Sequence, residues 1–515
     1  MKAFLMYKDR DFDLNRKLPP NEWILTQDLE LNTLFNTMAR DDKFLFDVAR
    51  HAILSAMSNG VDTILYRQAV LRDCQKNAGL VKSIYALALD AIEKEKKVYY
   101  GFFGKYPAAV LSRAIEVLQM FIAALKNLRE IAEQHAGEFE SEGFGNFFAM
   151  LKKELSDEYF EEIQGHLKTL KFRDGVLVSA ELGQGNKGTH YVLREPAHDR
   201  RCWLRRLLPR RKSPFAFTIA ERDENGARAL AELKDRGINM VANALAQSTD
   251  HILSFFTLLQ TELAFYIACL NLHETLSRKQ EPLCVPVPVG SQRHVHAFQG
   301  LYDVCLALHM PQRVVGNDFQ ADPEHLVIVT GANQGGKSTF LRSIGLSQLM
   351  MQCGMHVPAE SYTANVCDGL FTHYKREEDT TMKSGKLDEE LSRMNDIVDQ
   401  ITPQAMVLFN ESFAATNERE GSEISRQITE ALLEQGIKIV FVTHMYEYAH
   451  DFYERRAVGW WFLRAQRESG GARTFKLESG EPLKTGYGED LYSQIFESPP
   501  STSSSAAAGS GDVNG

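Results

Sequence analysis

From residue 21 to about 170, apolar positions recur every three to four residues, and Gly and Pro are sparse. Stretches such as KFLFDVARHAILSAM and SRAIEVLQMFIAALKNLREIAEQ carry that period, which predicts amphipathic helices. Over 171–195 the period shortens to two. KFRDGVLVSAELGQGNKGTHYVLREP places β-branched residues on both sides of the Gly/Asn turn GQGNKG, which predicts a hairpin. Between Gly237 and Pro282 there is neither Gly nor Pro, and Ile252, Phe255, Leu259, Leu263, Tyr266 and Leu270 form one apolar stripe. A continuous helix there would be ~60 Å long at ~1.5 Å per residue, a strut as much as a core helix. From about residue 291 short apolar runs alternate with helical stretches, as in an α/β domain. HLVIVTG, QAMVLFN and KIVFVTH read as its buried strands. The tail SPPSTSSSAAAGSGDVNG is low-complexity and expected to be disordered.

The expected architecture is therefore multidomain, with no internal repeat. A mainly α-helical region spans 1–290, with the hairpin and a basic loop at 171–215. An α/β domain spans 291–497, and the tail spans 498–515. A chain of 515 residues, 44% hydrophobic, can bury two or three cores.

Charge and cysteine usage narrow the class. A net charge of -10 removes any global attraction to nucleic acid, so DNA binding would need a local basic surface. One exists in sequence: RRCWLRRLLPRRK, Arg200–Lys212, has seven Lys/Arg and no acid. Trp203, Leu204, Leu207 and Leu208 interleave with the arginines, so two readings stand: contacts to a phosphate backbone, or a basic loop packed on the chain's own acidic body. Seven scattered cysteines without a C-x-x-C pair argue against a zinc site or a disulfide framework and for a reducing, cytoplasmic setting. No unbroken apolar run approaches the ~18 residues of a membrane span, and MKAFLMYKDRDFD is charged too early for a signal peptide.

The chemistry is densest in HLVIVTGANQGGKSTFLRSIG. Gly331, Ala332, Asn333, Gln334, Gly335, Gly336, Lys337 and Ser338 complete G-x-x-x-x-G-K-[ST], with a strand before and a helix after. The glycines let backbone N–H groups wrap phosphates, the following helix points its positive end at them, and Thr339 completes the expected nucleotide-binding set. Lys337 should reach the β/γ-phosphates, and the Ser338 hydroxyl should ligate Mg2+. These residues predict that the chain binds a nucleoside triphosphate with Mg2+. In MVLFNESFAATN a second strand ends at Asn410-Glu411. Glu411 is placed to orient or deprotonate the attacking water. Asn410 stands on the metal side, where Asp is usual: it keeps an acceptor oxygen but lacks the charge. Hydrolysis should then be slow but present, with a switch that binds nucleotide without turning it over as the alternative. His444, ending KIVFVTH, sits where a strand-end residue could contact the γ-phosphate; alone, it would read as a structural histidine.

TGANQGGKSTFLRSIG resembles the ATPase core of the MutS mismatch-repair family, whose loop reads T-G-P-N-x-G-G-K-S-T. GMHVPAES is similar to its V-P-A segment, and NESFAATNEREG occupies the register of D-E-x-G-R-G-T-x-x-x-D-G, with Glu411, Thr416, Glu420 and Gly421 on the Glu, Thr, Asp and Gly. VFVTHMYE resembles F-A-T-H-Y, and TGYGEDLYSQIF resembles the closing S-Y-G helix. LELNTLFNTMA and ILYRQAVLRDC resemble, more loosely, the start of the family's helical core and lever. The resemblance implies an ABC-type ATPase that dimerises through its ATPase domains, each site pairing the phosphate loop of one chain with a signature segment of the other.

The departures shape the expectation. The helical core begins near residue 28, so we expect a short form without mismatch-reading and connector domains, and without a nuclease-like extension. The reader's F-x-E element has one early counterpart, Phe160-Glu161-Glu162 in DEYFEEIQ, which reads as helix surface. Phe413-Ala414-Ala415 replace the G-R-G. The Ser-Thr-Phe signature has no clean match; Ser384-Gly385 in EEDTTMKSGKLDEELSRM is the candidate trans contact, with a solvated helix start as the alternative. Two functions remain: a DNA-binding ATPase that grips duplex or branched DNA as a homodimer, or an ATP-dependent scaffold that binds a protein partner.

Overall fold

The structure is a computed structural model that describes residues 1–98, 106–172, 175–195, 218–331, 334–376, 385–467 and 473–483. The basic segment Arg200–Lys212, Ala332, Asn333, Ser384 and the C-terminal tail lie outside the described residues. In chain order the first helices are α1 (Glu22–Asp28), α2 (Leu31–Ala39), α3 (Lys43–Leu54), α4 (Val61–Lys76), α5 (Ala78–Lys97), α6 (Pro107–His135), α7 (Glu142–Glu154) and α8 (Asp157–Leu170). An antiparallel pair, β1 (Leu177–Leu182) and β2 (Gly188–Arg194), precedes α9 (Glu224–Arg278). Then follow β3 (Val287–Val289), β4 (His296–Leu301), α10 (Val304–His309), β5 (Asn317–Ala321), β6 (Leu326–Thr330), α11 (Lys337–Cys353), β7 (Ser361–Asn365) and β8 (Leu370–Tyr374). The last are α12 (Lys386–Val398), β9 (Met406–Asn410), α13 (Glu418–Glu434), β10 (Lys438–Val442), α14 (Tyr446–Arg455), β11 (Trp460–Arg467) and β12 (Arg473–Ser479). A helical region followed by an α/β domain is the fold class the sequence predicts, and the hairpin falls at its expected place.

The compact units do not follow chain order. One comprises Met1–Arg16, Met38–Arg50 and Leu65–Asn271; the other comprises Lys17–Thr37, His51–Ile64 and Leu272–Gly515.

In the helical unit, α6 buries Leu111, Leu118, Phe121, Ile122, Leu125 and Leu128 on one face, and Phe121 meets Phe256 of α9 with ring centroids 5.5 Å apart. Ser141 and Ser156 cap α7 and α8, accepting from Phe144 N and Tyr159 N, each a contribution of about 1 kcal/mol. Both α6 and α9 contain stretches long and apolar enough, by length and composition, to cross a membrane; in α9 78% of that stretch is buried inside the fold. Polar residues interrupt each stretch, so neither reads as an apolar run of membrane-spanning length in the sequence. Helix α9 begins at Glu224, well before the Gly237 that seemed to bound it. A Cβ on Gly237 would lie 2.5 Å from Val178 Cγ2, so this glycine admits β1 against the helix instead of ending it. Phe160 corrects a second expectation: it is buried in α8 and only its two glutamates face solvent.

The same unit buries a polar clasp. The Glu262 carboxylate of α9 accepts from Leu5 N, Met6 N and Phe12 N. Tyr266 Oη donates to Leu5 O at 2.6 Å, and Arg67 Nε donates to Met6 O at 2.9 Å. Burial of Glu262 outweighs those three N–H bonds and lifts its carboxyl to about 7.

In the α/β unit, a six-stranded sheet runs β12-β11-β6-β10-β9-β8, all parallel except the β11–β12 pair. Strands β6 and β10 are buried along their whole length, as expected of central parallel strands covered on both faces. A second sheet, β3-β7-β4-β5, carries His296, whose Nδ1 lies 2.9 Å from Glu324 Oε2, which also pairs with Lys438 Nζ of β10 at 2.8 Å. This fully buried cluster ties the two sheets together; removing Glu324 or Lys438 alone would leave an uncompensated charge, at a cost of about 3–5 kcal/mol. The N-terminal piece contributes α1, whose Asp28 pairs with Arg376 at 2.8 Å, just past β8. Asn21 Nδ2 donates to Leu370 O at 2.8 Å.

Candidate functional site

Strands β6, β9 and β10 are neighbours, so their C-terminal ends deliver Gly331, Asn410-Glu411 and Thr443-His444 to one edge of the sheet. In an open α/β sheet that edge is where ligands bind. The phosphate loop between β6 and α11 depends on left-handed backbone. Gly331 has φ +118, and a Cβ there would lie 2.9 Å from Ala465 N of β11. Gly336, at φ +88, is the residue before α11 and has no side chain to cap the first-turn amides. Those amides are left for an anion. Gly335 is buried, Gln334 and Ser338 are exposed, and Thr339 lies in the first turn of α11.

Lys337 is buried, and its Nζ donates to Gly331 O at 2.9 Å, folding over the loop. Burial draws the Lys337 ammonium down to about 8, against the opposing pull of Glu411. A triphosphate in the loop would add an anion beside this desolvated ammonium and favour its charged form. Ser338 Oγ donates to Asn410 Oδ1 at 3.0 Å, so two neutral oxygens stand together at the strand end. Among the described residues no group of three or more His, Cys, Asp or Glu is placed to hold a metal. A Mg2+ at Ser338 and Asn410 would thus draw the rest of its oxygen shell from phosphate and water, which suits this ion.

Glu411 (φ 54) follows β9 and is held by its own N–H, which donates to Val442 O at 2.9 Å. His444 Nε2 lies 2.8 Å from Glu411 Oε1 and 3.5 Å from Lys337 Nζ. The short contact is a bond from His444 N–H to the carboxylate, which requires the Nε2-protonated ring. That bond holds the Glu411 carboxyl below its usual range, with burial opposing and the charges of His444, Lys337 and Lys375 assisting. The five predicted residues Lys337, Ser338, Asn410, Glu411 and His444 are thus brought together.

Other supports escaped the sequence reading. Phe413, at φ 60 and fully buried, stacks on His373 with centroids 5.0 Å apart. His373 Nε2–H donates to Glu390 O at 2.9 Å, leaving Nδ1 to face the Ser412 hydroxyl at 2.7 Å. Burial pushes His373 down to about 4, so it acts as a neutral brace under the Glu411 segment. Gly421 of α13 packs on Phe413 O. Thr416 Oγ1 bonds the Glu420 carboxylate, and Asn417 caps α13 by accepting from Glu420 N at 3.0 Å. On the other flank, Arg473 of β12 bonds Gln334 Oε1 in the phosphate loop. The one sequence signal for this bracing was the bulky Phe413 in the slot where the family pattern has a glycine.

Residues 59–279 match the MutS2 N-terminal domain and residues 327–490 match MutS domain V, an ABC-type ATPase domain. The chain is 36% identical over 161 residues to the DNA mismatch repair protein MutS of Thermotoga sp. (strain RQ2), covering 31% of this chain and 20% of that protein. It is 27% identical over 248 residues to MutS protein homolog 4 of Mus musculus, covering 46% of this chain and 25% of that protein. With Endonuclease MutS2 of Thermus thermophilus it shares 30% over 151 residues, covering 29% of this chain and 20% of that protein. The chain thus spans 20 to 25% of the length of these relatives. It belongs to the MutS family, with a MutS2-type N-terminal domain followed by the domain V ATPase.

Proposed function

We propose that the chain binds ATP in the loop Gly331–Thr339 and hydrolyses it slowly, working in the reducing cytoplasm as a dimer that grips duplex or branched DNA in repair or recombination. The observation that carries the ATPase reading is the convergence of Lys337, Ser338, Asn410, Glu411 and His444 at one sheet edge. Lys337 and the first amides of α11 hold the phosphates. Ser338 and Asn410 are the residues that would hold Mg2+, which when bound offsets charge on the phosphate oxygens. Glu411 accepts the proton of the attacking water, and the His444 N–H fixes its orientation. Because Asn410 brings no charge, the ion is held more weakly than by Asp, and turnover is slowed rather than abolished. The basic segment Arg200–Lys212 and the helical arms are the proposed DNA contacts; the homologues named for DNA mismatch repair support that choice over a protein-only scaffold.

The test is steady-state ATP hydrolysis with and without duplex and branched DNA, beside Glu411→Ala, Asn410→Asp and the charge reversal of Arg205 and Arg206. Turnover that rises with DNA, dies with Glu411→Ala and increases with Asn410→Asp supports the proposal. ATP binding without turnover above the Glu411→Ala background would make the site a binding-only switch. Salt-insensitive DNA binding that survives the charge reversal would remove the basic segment from the account.

A further inference from the structure

Among the described residues around the phosphate loop, cations outnumber carboxylates. Asn410 is neutral where a metal-side carboxylate is expected, and its amide oxygen is already engaged by Ser338 at 3.0 Å. Among the described residues, the carboxylate next to it in the chain, Glu411, is committed to His444 at 2.8 Å. Cations, by contrast, come from three separate elements. Lys337 closes over the loop. Arg473 of β12 places its guanidinium on Gln334, in the middle of the loop. The β11–β12 pair also stands against the two described glycines that bound the loop: Ala465 lies against Gly331, and Phe475 against Gly336. Lys375 is the first residue past β8, and its N–H donates to Asn410 O at 2.9 Å, which fixes it at the strand end beside Asn410-Glu411. Its ammonium is near enough to help hold the Glu411 carboxyl low.

A metal-free triphosphate carries more negative charge than its magnesium complex, and a site chooses between them by the charge it supplies. A site with an acidic metal ligand repels the bare anion until the ion arrives. A site with a neutral ligand and two added cations does not. Resting on the nucleotide reading above, we propose that Lys375 and Arg473 are further nucleotide-binding residues, and that with Asn410 they let this site hold a nucleoside triphosphate without a divalent ion. Nucleotide binding and hydrolysis are thereby separated: the protein's own cations retain the triphosphate, and Mg2+ is needed for turnover alone. Arg473 takes the outer side of the loop and Lys375 the Glu411 side.

Equilibrium binding of a fluorescent N-methylanthraniloyl ATP to the full chain, in excess EDTA and in excess Mg2+, tests this. The proteins are the wild type, Asn410→Asp, and the pair Lys375→Gln and Arg473→Gln. Both of the last two residues are exposed, and a thermal melt confirms that each variant is folded. For the wild type the dissociation constant should differ less than about fivefold between the two buffers, well under the tenfold of 1.4 kcal/mol. Asn410→Asp should bind at least about tenfold more weakly in EDTA than in Mg2+, and the two glutamine variants should lose about tenfold in EDTA and less in Mg2+. A larger loss of wild-type binding in EDTA overturns the proposal. So do glutamine variants that match the wild type in EDTA, or an Asn410→Asp protein with no new metal dependence. A folded wild type that binds in neither buffer instead overturns the nucleotide reading on which the proposal rests.

Discussion

Gly421→Ala is the sharpest test of how the Glu411 segment is held. Gly421 lies in the first turn of α13, where alanine would ordinarily be favoured over glycine by about 0.5–1 kcal/mol. Its added Cβ would lie 2.4 Å from Phe413 O, where ordinary contact begins at 3.4 Å, so backbone must move by about 1 Å. Met445 Sδ, at 3.2 Å, can swing aside. Phe413 cannot, because its ring is fully buried and stacked on His373. Overpacking of this kind costs about 1–3 kcal/mol, which offsets the helix gain and leaves a net loss of up to about 2.5 kcal/mol. The displacement is passed to Glu411, two residues before Phe413. An error of about 1 Å in a catalytic group lowers turnover on the order of 100-fold, while nucleotide affinity stays within about twofold because the phosphate loop sits on other elements. Gly165→Ala is the control: it lies in α8 with nothing within 4 Å of the new Cβ, and should stabilise by about 0.5–1 kcal/mol. Thermal unfolding and hydrolysis rates of the two variants decide the matter. If Gly421→Ala stabilises as Gly165→Ala does and turnover is unchanged, the close packing of α13 on the Glu411 segment is refuted.

Three more outcomes are expected. Glu411→Gln keeps the bond from His444 but cannot take a proton, so hydrolysis should fall about 100-fold or more while fluorescent ATP still binds; retained turnover would move the base elsewhere. Lys337→Ala should weaken ATP binding by more than about tenfold, since a buried charge-assisted contact is lost, and equal affinity by titration would rule it out as the phosphate lysine. Glu262 makes the helical unit respond to pH. Its folded carboxyl, raised to about 7 from 4.5, holds a proton between those values that the unfolded chain has released. Stability is therefore gained as pH falls from about 7 to about 4.5, by up to about 3 kcal/mol. In urea melts across that range Glu262→Gln should gain on the wild type as pH rises, and a pH-independent difference would count against a buried, raised carboxyl.

The parts of this protein legible from sequence are those whose chemistry is local. Strand β6, the phosphate loop and the start of α11 are consecutive, so spacing alone predicts their geometry. Asn410-Glu411 and His444 are found because each ends an apolar run of strand length. What stayed hidden was set by partners distant in the chain. Gly237 reads as a helix breaker until Val178 is seen against it. Phe160 reads as surface beside two glutamates, yet its own ring is buried. Residues 17–37 and 51–64 carry the same helical period as their neighbours, and nothing in that period says they join the α/β unit. The site divides the same way. A motif names the groups that meet phosphate, whereas Phe413 on His373 and Gly421 under Phe413 decide how firmly those groups are held. The exchange of Gly for Phe413 and of Asp for Asn410 therefore reads differently with the fold in hand. The first is absorbed by a neutral histidine and a close-packed glycine, which keep Glu411 in place. The second removes one negative charge from a strand end beside which Lys375 stands, while Arg473 reaches the phosphate loop from its other flank. Geometry is conserved by packing while the electrostatic balance is shifted, and a site altered in that way should retain its ligand more faithfully than its rate.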